Sequence, residues 1–172
     1  GTGGKGLLLL SGGIDSPVAG WMGMKRGLKL EALHFYSFPF TSERAKEKVI
    51  DLAKILSKNG IKIKLHICDF SEIQKKIKKK CDQDFTITIM RRMMFRIATK
   101  IADKNNDLAL LTGESIGQVS SQTLENISVI SAVTNKPIFR PLITRNKQEI
   151  IEIAKDIGTY ETSILPHEDC CT

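Results

Sequence analysis

The sequence predicts an α/β domain built on an open, five-stranded parallel sheet with helices on both faces. Three observations predict it. Apolar and amphipathic runs alternate five times along the chain, the pattern of a parallel sheet crossed by helices. The first apolar run, KGLLLLS over 5–11, shows no polar alternation, as expected of a strand buried on both faces. No internal repeat or low-complexity linker divides the 172 residues, so one domain with a sizeable core accounts for them.

Each element follows from local pattern. Residues 16–27 form a helix with Pro17 in its first turn, and Gly27 stops it after Lys25 and Arg26. LKLEALHFYS (28–37) is the second strand, followed by a loop through Pro39. Thr41 or Ser42 caps a long helix with an apolar stripe of Val49, Leu52, Ala53, Ile55 and Leu56, ended by Gly60. IKIKLHICDF (61–70) alternates as a half-buried third strand. Ser71 then caps a lysine-rich helix, with Gln74 placed as in a capping box. Residues 85–106 favour a strand locally at Thr86 to Ile89, but length argues for helix throughout. DLALLTGES (107–115) is the fourth strand, 121–135 a helix and KPIFRPLIT (136–144) a Pro-broken fifth strand. Asn146 and Glu149 cap the last helix, 146–158, which Gly158 stops. The end, SILPHEDCCT, has no partner element.

Composition narrows the function classes. No apolar run approaches the ~20 residues of a membrane span, and GTGGKG lacks the plan of a signal peptide. The net charge of +7 and pI near 9.3 raise the odds of a polyanionic partner such as nucleic acid. Lys75, Lys76, Lys78, Lys79 and Lys80 concentrate that charge, as an RNA-facing patch or a solvated helix face. Four cysteines without a CxxC pair disfavour structural zinc and fit a reducing cytoplasm.

The most informative stretch is LLLLSGGIDS. Ligands of open α/β sheets bind beyond the carboxyl ends of the strands, where Ser11 to Ser16 lie. Gly12 and Gly13 permit positive φ and close approach of an anion to the backbone. Successive N–H groups and the helix start at Ser16 form an anion-binding concavity, and Ser11 and Ser16 add hydroxyls. No lysine follows the glycines, so this is not a Walker loop. Asp15 would repel phosphate unless a cation intervenes. It has either a Mg²⁺ or charge-balancing role or a helix N-cap role.

Other candidates lie at corresponding places. Gly113 and Gln122, with Gln118, follow the fourth strand, as a nucleoside-contacting loop or a polar loop with a cap. His34 and Phe35 end the second strand, where an adenine could stack, or where they form core and rim. Arg91 and Arg92 point about 100° apart on a helix, so at most one faces a ligand. The tail His167-Glu168-Asp169-Cys170-Cys171 reads as a metal cluster, a reactive thiol or a flexible end, with metal the weakest reading. A thiolate there could carry sulfur.

SGGxDS at a strand–helix junction resembles the pyrophosphate loop of N-type ATP pyrophosphatases, which implies an adenine nucleotide α-hydrolase-like fold. SGGIDSPVA, LHFYSFPFTSERAKEKV, MRRMMFRIA, TGESIGQVSSQTLEN, RPLI-x-x-x-KQEII and PHEDCC occur in one order along nearly the whole chain. Together they resemble the tRNA 4-thiouridine synthetase family, also named for thiamine biosynthesis. The resemblance implies that ATP adenylates O4 of a tRNA uridine and that a persulfide then delivers sulfur to C4, expelling AMP. It also implies a link to thiamine thiazole sulfur supply.

Carried over, the nucleotide contacts fall on Leu9, Leu10, His34, Phe35, Arg91, Gly113 and Gln122 beside Ser11, Gly12, Gly13 and Ser16. Leu9 and Leu10 contribute backbone. Asp15 matches an essential loop aspartate and Lys147 a lysine implicated in activity, although a first-turn lysine is as easily solvated. The sulfur-handling cysteine maps to Cys170, with Cys171 the alternative. The implied cofactors are ATP and Mg²⁺. The implied partners are tRNA and a cysteine desulfurase, with a homodimer left open and no membrane. Nothing matches the family's N-terminal ferredoxin-like and THUMP modules or the rhodanese domain of some members, so the expectation is an excised catalytic domain. Two rival readings stand beside it: another N-type pyrophosphatase, either an amide former or a different tRNA thiolase, and a non-catalytic RNA- or nucleotide-binding module.

Overall fold

The computed structural model describes residues 3–166, so the tail with Cys170 and Cys171 lies outside the described residues. The elements are β1 (Lys5–Leu9), α1 (Asp15–Lys25), β2 (Lys29–Tyr36), α2 (Glu43–Lys58), β3 (Lys64–Asp69) and α3 (Ser71–Lys80). Then come α4 (Thr86–Asn105), β4 (Ala109–Leu111), α5 (Leu124–Ser131), β5 (Ile138–Phe139), α6 (Lys147–Ile157) and α7 (Tyr160–Ser163). Short 3₁₀ turns precede α4 and α5.

All five strands are parallel, in the order β3-β2-β1-β4-β5. The chain builds outward from β1 through β2 to β3, then returns to lay β4 on the other side of β1. That reversal makes the carboxyl ends of β1 and β4 the topological switch point, where such sheets bind ligands.

Successive residues of a strand face opposite sides, and the two cores divide accordingly. Leu8 and Leu111 pack with Val18, Val49, Leu56 and Ile150 under α1, α2 and α6. Leu7 and Leu110 pack with Phe70, Ile77, Met90, Phe95 and Ile130 under α3, α4 and α5. Each fully buried leucine contributes about 1.5–3 kcal/mol. A Cβ on Gly20 would stand 2.6 Å from Leu8 Cδ2, and one on Gly23 2.6 Å from Leu111 Cδ2. The two glycines let α1 sit close on β1 and β4.

The capping expectations hold for α2 and α6. Ser42 accepts from the Ala45 N–H, and Asn146 and Glu149 form the reciprocal box. They fail for α3, where Ser71 is the first helical residue and makes no side-chain cap. Asp69 Oδ1 accepts the Ser71 N–H instead, and Gln74 is buried against the Ser37 hydroxyl. Thr86 to Ile89 are helical, because the nucleus beyond Met90 extends backward over them. The helix read over 121–135 contracts to Leu124–Ser131.

At the amino ends of the strands, away from the switch point, Glu31 and Asp107 are both buried. Lys5 Nζ lies 2.9 Å from Glu31 Oε2 and 3.7 Å from Asp107 Oδ1, and His66 Nε2 is 3.0 Å from Glu31 Oε1. Burial, then the Glu31 carboxylate, push Asp107 up to about 6, against the pull of Lys5 and His66. Burial also pushes Glu31 up, but hydrogen bonds from Lys5, His66 and Asp107 outweigh it and hold Glu31 below its ordinary value.

The folded state therefore keeps the Asp107 proton after an unfolded chain has lost it. Stability is expected to fall as pH rises from about 4 to about 6, by at most about 3 kcal/mol from this group. Glu31 acts with the opposite sign and only on the acid side of its ordinary value. Urea unfolding at several pH values checks this: Asp107→Asn should flatten the limb between pH 4 and 6. Parallel curves for the two proteins would contradict it.

Candidate functional site

A cleft of about 500 Å³ opens at the switch point. The loop after β1 forms one wall. Ser16 Oγ accepts the Ser11 N–H at 2.9 Å and Ser11 Oγ accepts the Gly13 N–H at 3.3 Å, while the two hydroxyls sit 3.2 Å apart. The loop is thus organised by its own serines. Gly12 and Gly13 do not take positive φ. What they lack here is a side chain, and the conformational freedom expected of them is not used. Gly13 lines the cleft, whereas Gly12 is buried and does not line it.

The loop after β4 forms the facing wall, and Gly113 explains its approach. A Cβ there would lie 2.8 Å from Ser16 N and 2.9 Å from the Asp15 carbonyl carbon. The missing side chain lets this loop press against the start of α1. Gln122 Oε1 accepts the Ser115 N–H at 3.4 Å and holds the far side of the loop.

Asp15 is the first residue of α1; the cap position is Ile14, and no side chain caps it. The N-cap alternative for Asp15 is therefore not realised. Its Oδ1 lies 2.6 Å from Lys147 Nζ at the start of α6. The cation that the aspartate's position calls for is a side chain 132 residues away. Both residues line the cleft.

The two arginines separate as their helical spacing requires. Arg91 lines the cleft, and Arg92 donates to the Val129 carbonyl on α5. Arg91 is held by Glu114, its Nη2 lying 3.1 Å from Oε2. Glu114 is only 3% exposed and also accepts from Arg140 Nε at 3.3 Å and from the Thr112 hydroxyl at 2.8 Å. Sequence reasoning missed this carboxylate and Arg140, although both lie inside motifs it singled out. Glu114→Gln would leave two poorly solvated guanidiniums without their anion. We expect a loss of about 2–4 kcal/mol in urea unfolding, with Glu114→Asp falling between it and the parent.

At the end of β2, His34 Nδ1 donates to the Leu10 carbonyl at 3.0 Å, which fixes the tautomer because a carbonyl only accepts. The Leu10 N–H already donates to Leu33, so Leu9 and Leu10 meet the cleft as part of the strand end. Phe35 is mostly core, edge-on to Phe70 at 5.5 Å. Arg91 Nε and Gln118 Nε2 are buried donors without a hydrogen-bond partner among the described residues, both on the cleft wall. Such donors are costly unless an acceptor arrives. A polyanion with a heterocyclic base supplies acceptors of that kind, so the residues fit a nucleoside triphosphate. Among the described residues no three His, Cys, Asp or Glu side chains form a metal-binding group, and no helix is long and apolar enough to cross a membrane.

A parallel sheet with a serine- and glycine-bearing loop at its switch point defines the fold of the PP-loop ATP pyrophosphatases. The likeness to the NMN synthetase from Francisella tularensis, with a TM-score of 0.68 at 16% identity over 98% of this chain and 67% of that one, is one of fold alone. The family model described as Thiamine biosynthesis protein (ThiI) matches residues 1–172, and the chain belongs to that family. It is 66% identical over its whole length to the probable tRNA sulfurtransferase of Halothermothrix orenii, spanning 43% of that protein. It also superposes, with a TM-score of 0.93 and 51% identity, on a 4-thiouridine synthetase solved as an RNA complex with bound ATP, covering 97% of this chain and 44% of that one.

Proposed function

We propose that the chain is the ATP-handling catalytic domain of a tRNA uracil 4-sulfurtransferase, acting within a longer protein in the cytoplasm. The observation that carries this reading is the meeting of the Ser11–Ser16 loop, the Gly113 loop and the Asp15–Lys147 pair on one cleft. ATP is the co-substrate. Its β and γ phosphates lie at the serine-glycine loop and the start of α1, where N–H groups lack intrahelical partners. Arg91 and Gln122 bind the nucleotide from the facing wall. Asp15 suits a Mg²⁺ site of the usual kind, one carboxylate with phosphate oxygens and water. Bound there, the ion would neutralise charge on the departing pyrophosphate.

The chemistry follows from a poor leaving group. Uridine O4 attacks the α-phosphorus, the bond to pyrophosphate breaks, and O4 becomes part of a phosphate ester. The outer sulfur of a protein persulfide, supplied by a cysteine desulfurase, then bonds to C4. The C4–O4 bond breaks and AMP departs carrying O4. A second thiol attacks the inner sulfur, leaving the thione on the base and a disulfide on the protein. Cys170 is the sulfur-handling thiol of this domain.

The test is stoichiometry in the natural protein, with tRNA, ATP, Mg²⁺, cysteine and a desulfurase. One AMP and one pyrophosphate are expected per thiouridine, and tRNA-dependent ATP–pyrophosphate exchange should vanish in Asp15→Ala. Formation of ADP, or an unchanged exchange rate, would remove this reading. An RNA-binding module would keep its RNA affinity and show no exchange at all.

A further inference from the structure

The structure assigns Lys48 a role that the chemistry above does not use. Lys48 lies on the buried face of α2 among Ala45, Val49 and Leu52, and is 4% exposed. A lysine at such a position is costly unless its ammonium is satisfied, and burial lowers its pKa from the ordinary value. Its Nζ donates to the carbonyls of Ser163 and Leu165, both at 2.6 Å. These carbonyls close the single turn of α7, at a helix end where carbonyls lack intrahelical partners and a cation is favoured. Four residues cannot hold a helix alone, so this segment depends on such outside contacts. A second contact ties it to the cleft: the Ser163 hydroxyl donates to the Gly13 carbonyl at 3.2 Å.

We infer that Lys48 is a positioning residue that fastens the segment leading to Cys170 against the serine-glycine loop, so that the sulfur-handling thiol is presented to the activated base. The inference rests on the reading of Cys170 given above. Cys170 comes four positions after Pro166, within about 14 Å of chain at full stretch. Anchoring residues 163–165 therefore sets how concentrated the thiol is at the cleft. Removing the anchor should slow the sulfur step and spare adenylation.

The experiment uses the natural full-length protein. Lys48→Met keeps the apolar stem and removes the ammonium. In single turnover its thiouridine formation should fall at least tenfold, while pyrophosphate release stays within twofold of the parent and alkylation of Cys170 by iodoacetamide becomes faster. Lys48→Arg should recover part of the sulfur step. An equal fall in both steps would mark a merely structural role, and an unchanged sulfur step would mean no role; either overturns the inference. If Lys48→Met does not fold, Ser163→Ala removes the second tie alone and should lower the ratio of thiouridine to pyrophosphate about threefold. An unchanged ratio there also overturns it. Cys170→Ser separates this failure from that of the underlying reading: full thiolation in Cys170→Ser removes the sulfur role itself, whereas loss there with an unaltered Lys48→Met removes only the positioning role.

Discussion

Asp15→Asn is expected to lower AMP formation about 10²–10³-fold, the order of losing one electrostatic stabiliser of the departing group, because in the proposed reading the carboxylate would hold the Mg²⁺ that neutralises pyrophosphate; the protein should not unfold. Asp15 and Lys147 sit 2.6 Å apart with side chains 23% and 46% exposed, so the pair contributes only about 1 kcal/mol or less to folding. In the proposed reading its weight falls on the triphosphate. The aspartate alone would add negative charge beside phosphates, whereas the lysine brings the pair close to neutral. Lys147→Met should therefore raise the KM for ATP tenfold or more. Higher Mg²⁺ should restore part of that loss, because a divalent cation substitutes for the missing ammonium. Asp15→Asn should not respond to Mg²⁺ in the same way, since the asparagine is a poorer ligand. Lys147→Arg should stay within about threefold of the parent. Steady-state kinetics of pyrophosphate release separate these cases. An Asp15→Asn protein of nearly parental kcat would remove the carboxylate from the chemistry.

How much of this was legible in the sequence depends on how local each signal is. Strands buried on both faces announce themselves as unbroken apolar runs, so the sheet and its helices could be read in order. The switch point followed, because SGG and TGES each end a strand. Arg91 and Arg92 could be told apart in principle from helix geometry alone. The partnership of Asp15 with Lys147 could not, since they stand 132 positions apart and only the docking of α6 beside α1 joins them. Glu114 carried no mark of burial; a glutamate beside a glycine in a polar loop is ordinarily solvated. Lys48 did carry a mark. It lies three residues from Ala45 and four from Leu52, on the stripe that otherwise holds apolar side chains. A charge on the inner face of a helix signals a partner reached through the fold. Gln74 shows the reverse error, a capping pattern overridden because Asp69 reaches the Ser71 N–H first.

Gly113→Ala separates the packing of the site from the packing of the core. Its new Cβ would meet Ser16 N at 2.8 Å, the Asp15 carbonyl carbon at 2.9 Å and Ser16 Cα at 3.0 Å, all of them backbone. Backbone at the start of a helix seated on the sheet cannot yield as a side-chain tip does, so the loop after β4 must move away. That motion widens the cleft between the two walls proposed to bind the phosphates and the nucleoside, and shifts Glu114, which holds Arg91. ATP affinity should fall at least tenfold by calorimetry, with a stability loss of about 1–3 kcal/mol, as for other overpacked sites. Gly20→Ala is the matched control. Its Cβ would meet Leu8 Cδ2 at 2.6 Å, a flexible side-chain end in the core beneath α1. A comparable loss of stability is expected there, with ATP affinity within twofold of the parent. Were the two variants to lose ATP affinity equally, the approach of the β4 loop would have no special part in building the site, and the glycine would serve only the packing of α1.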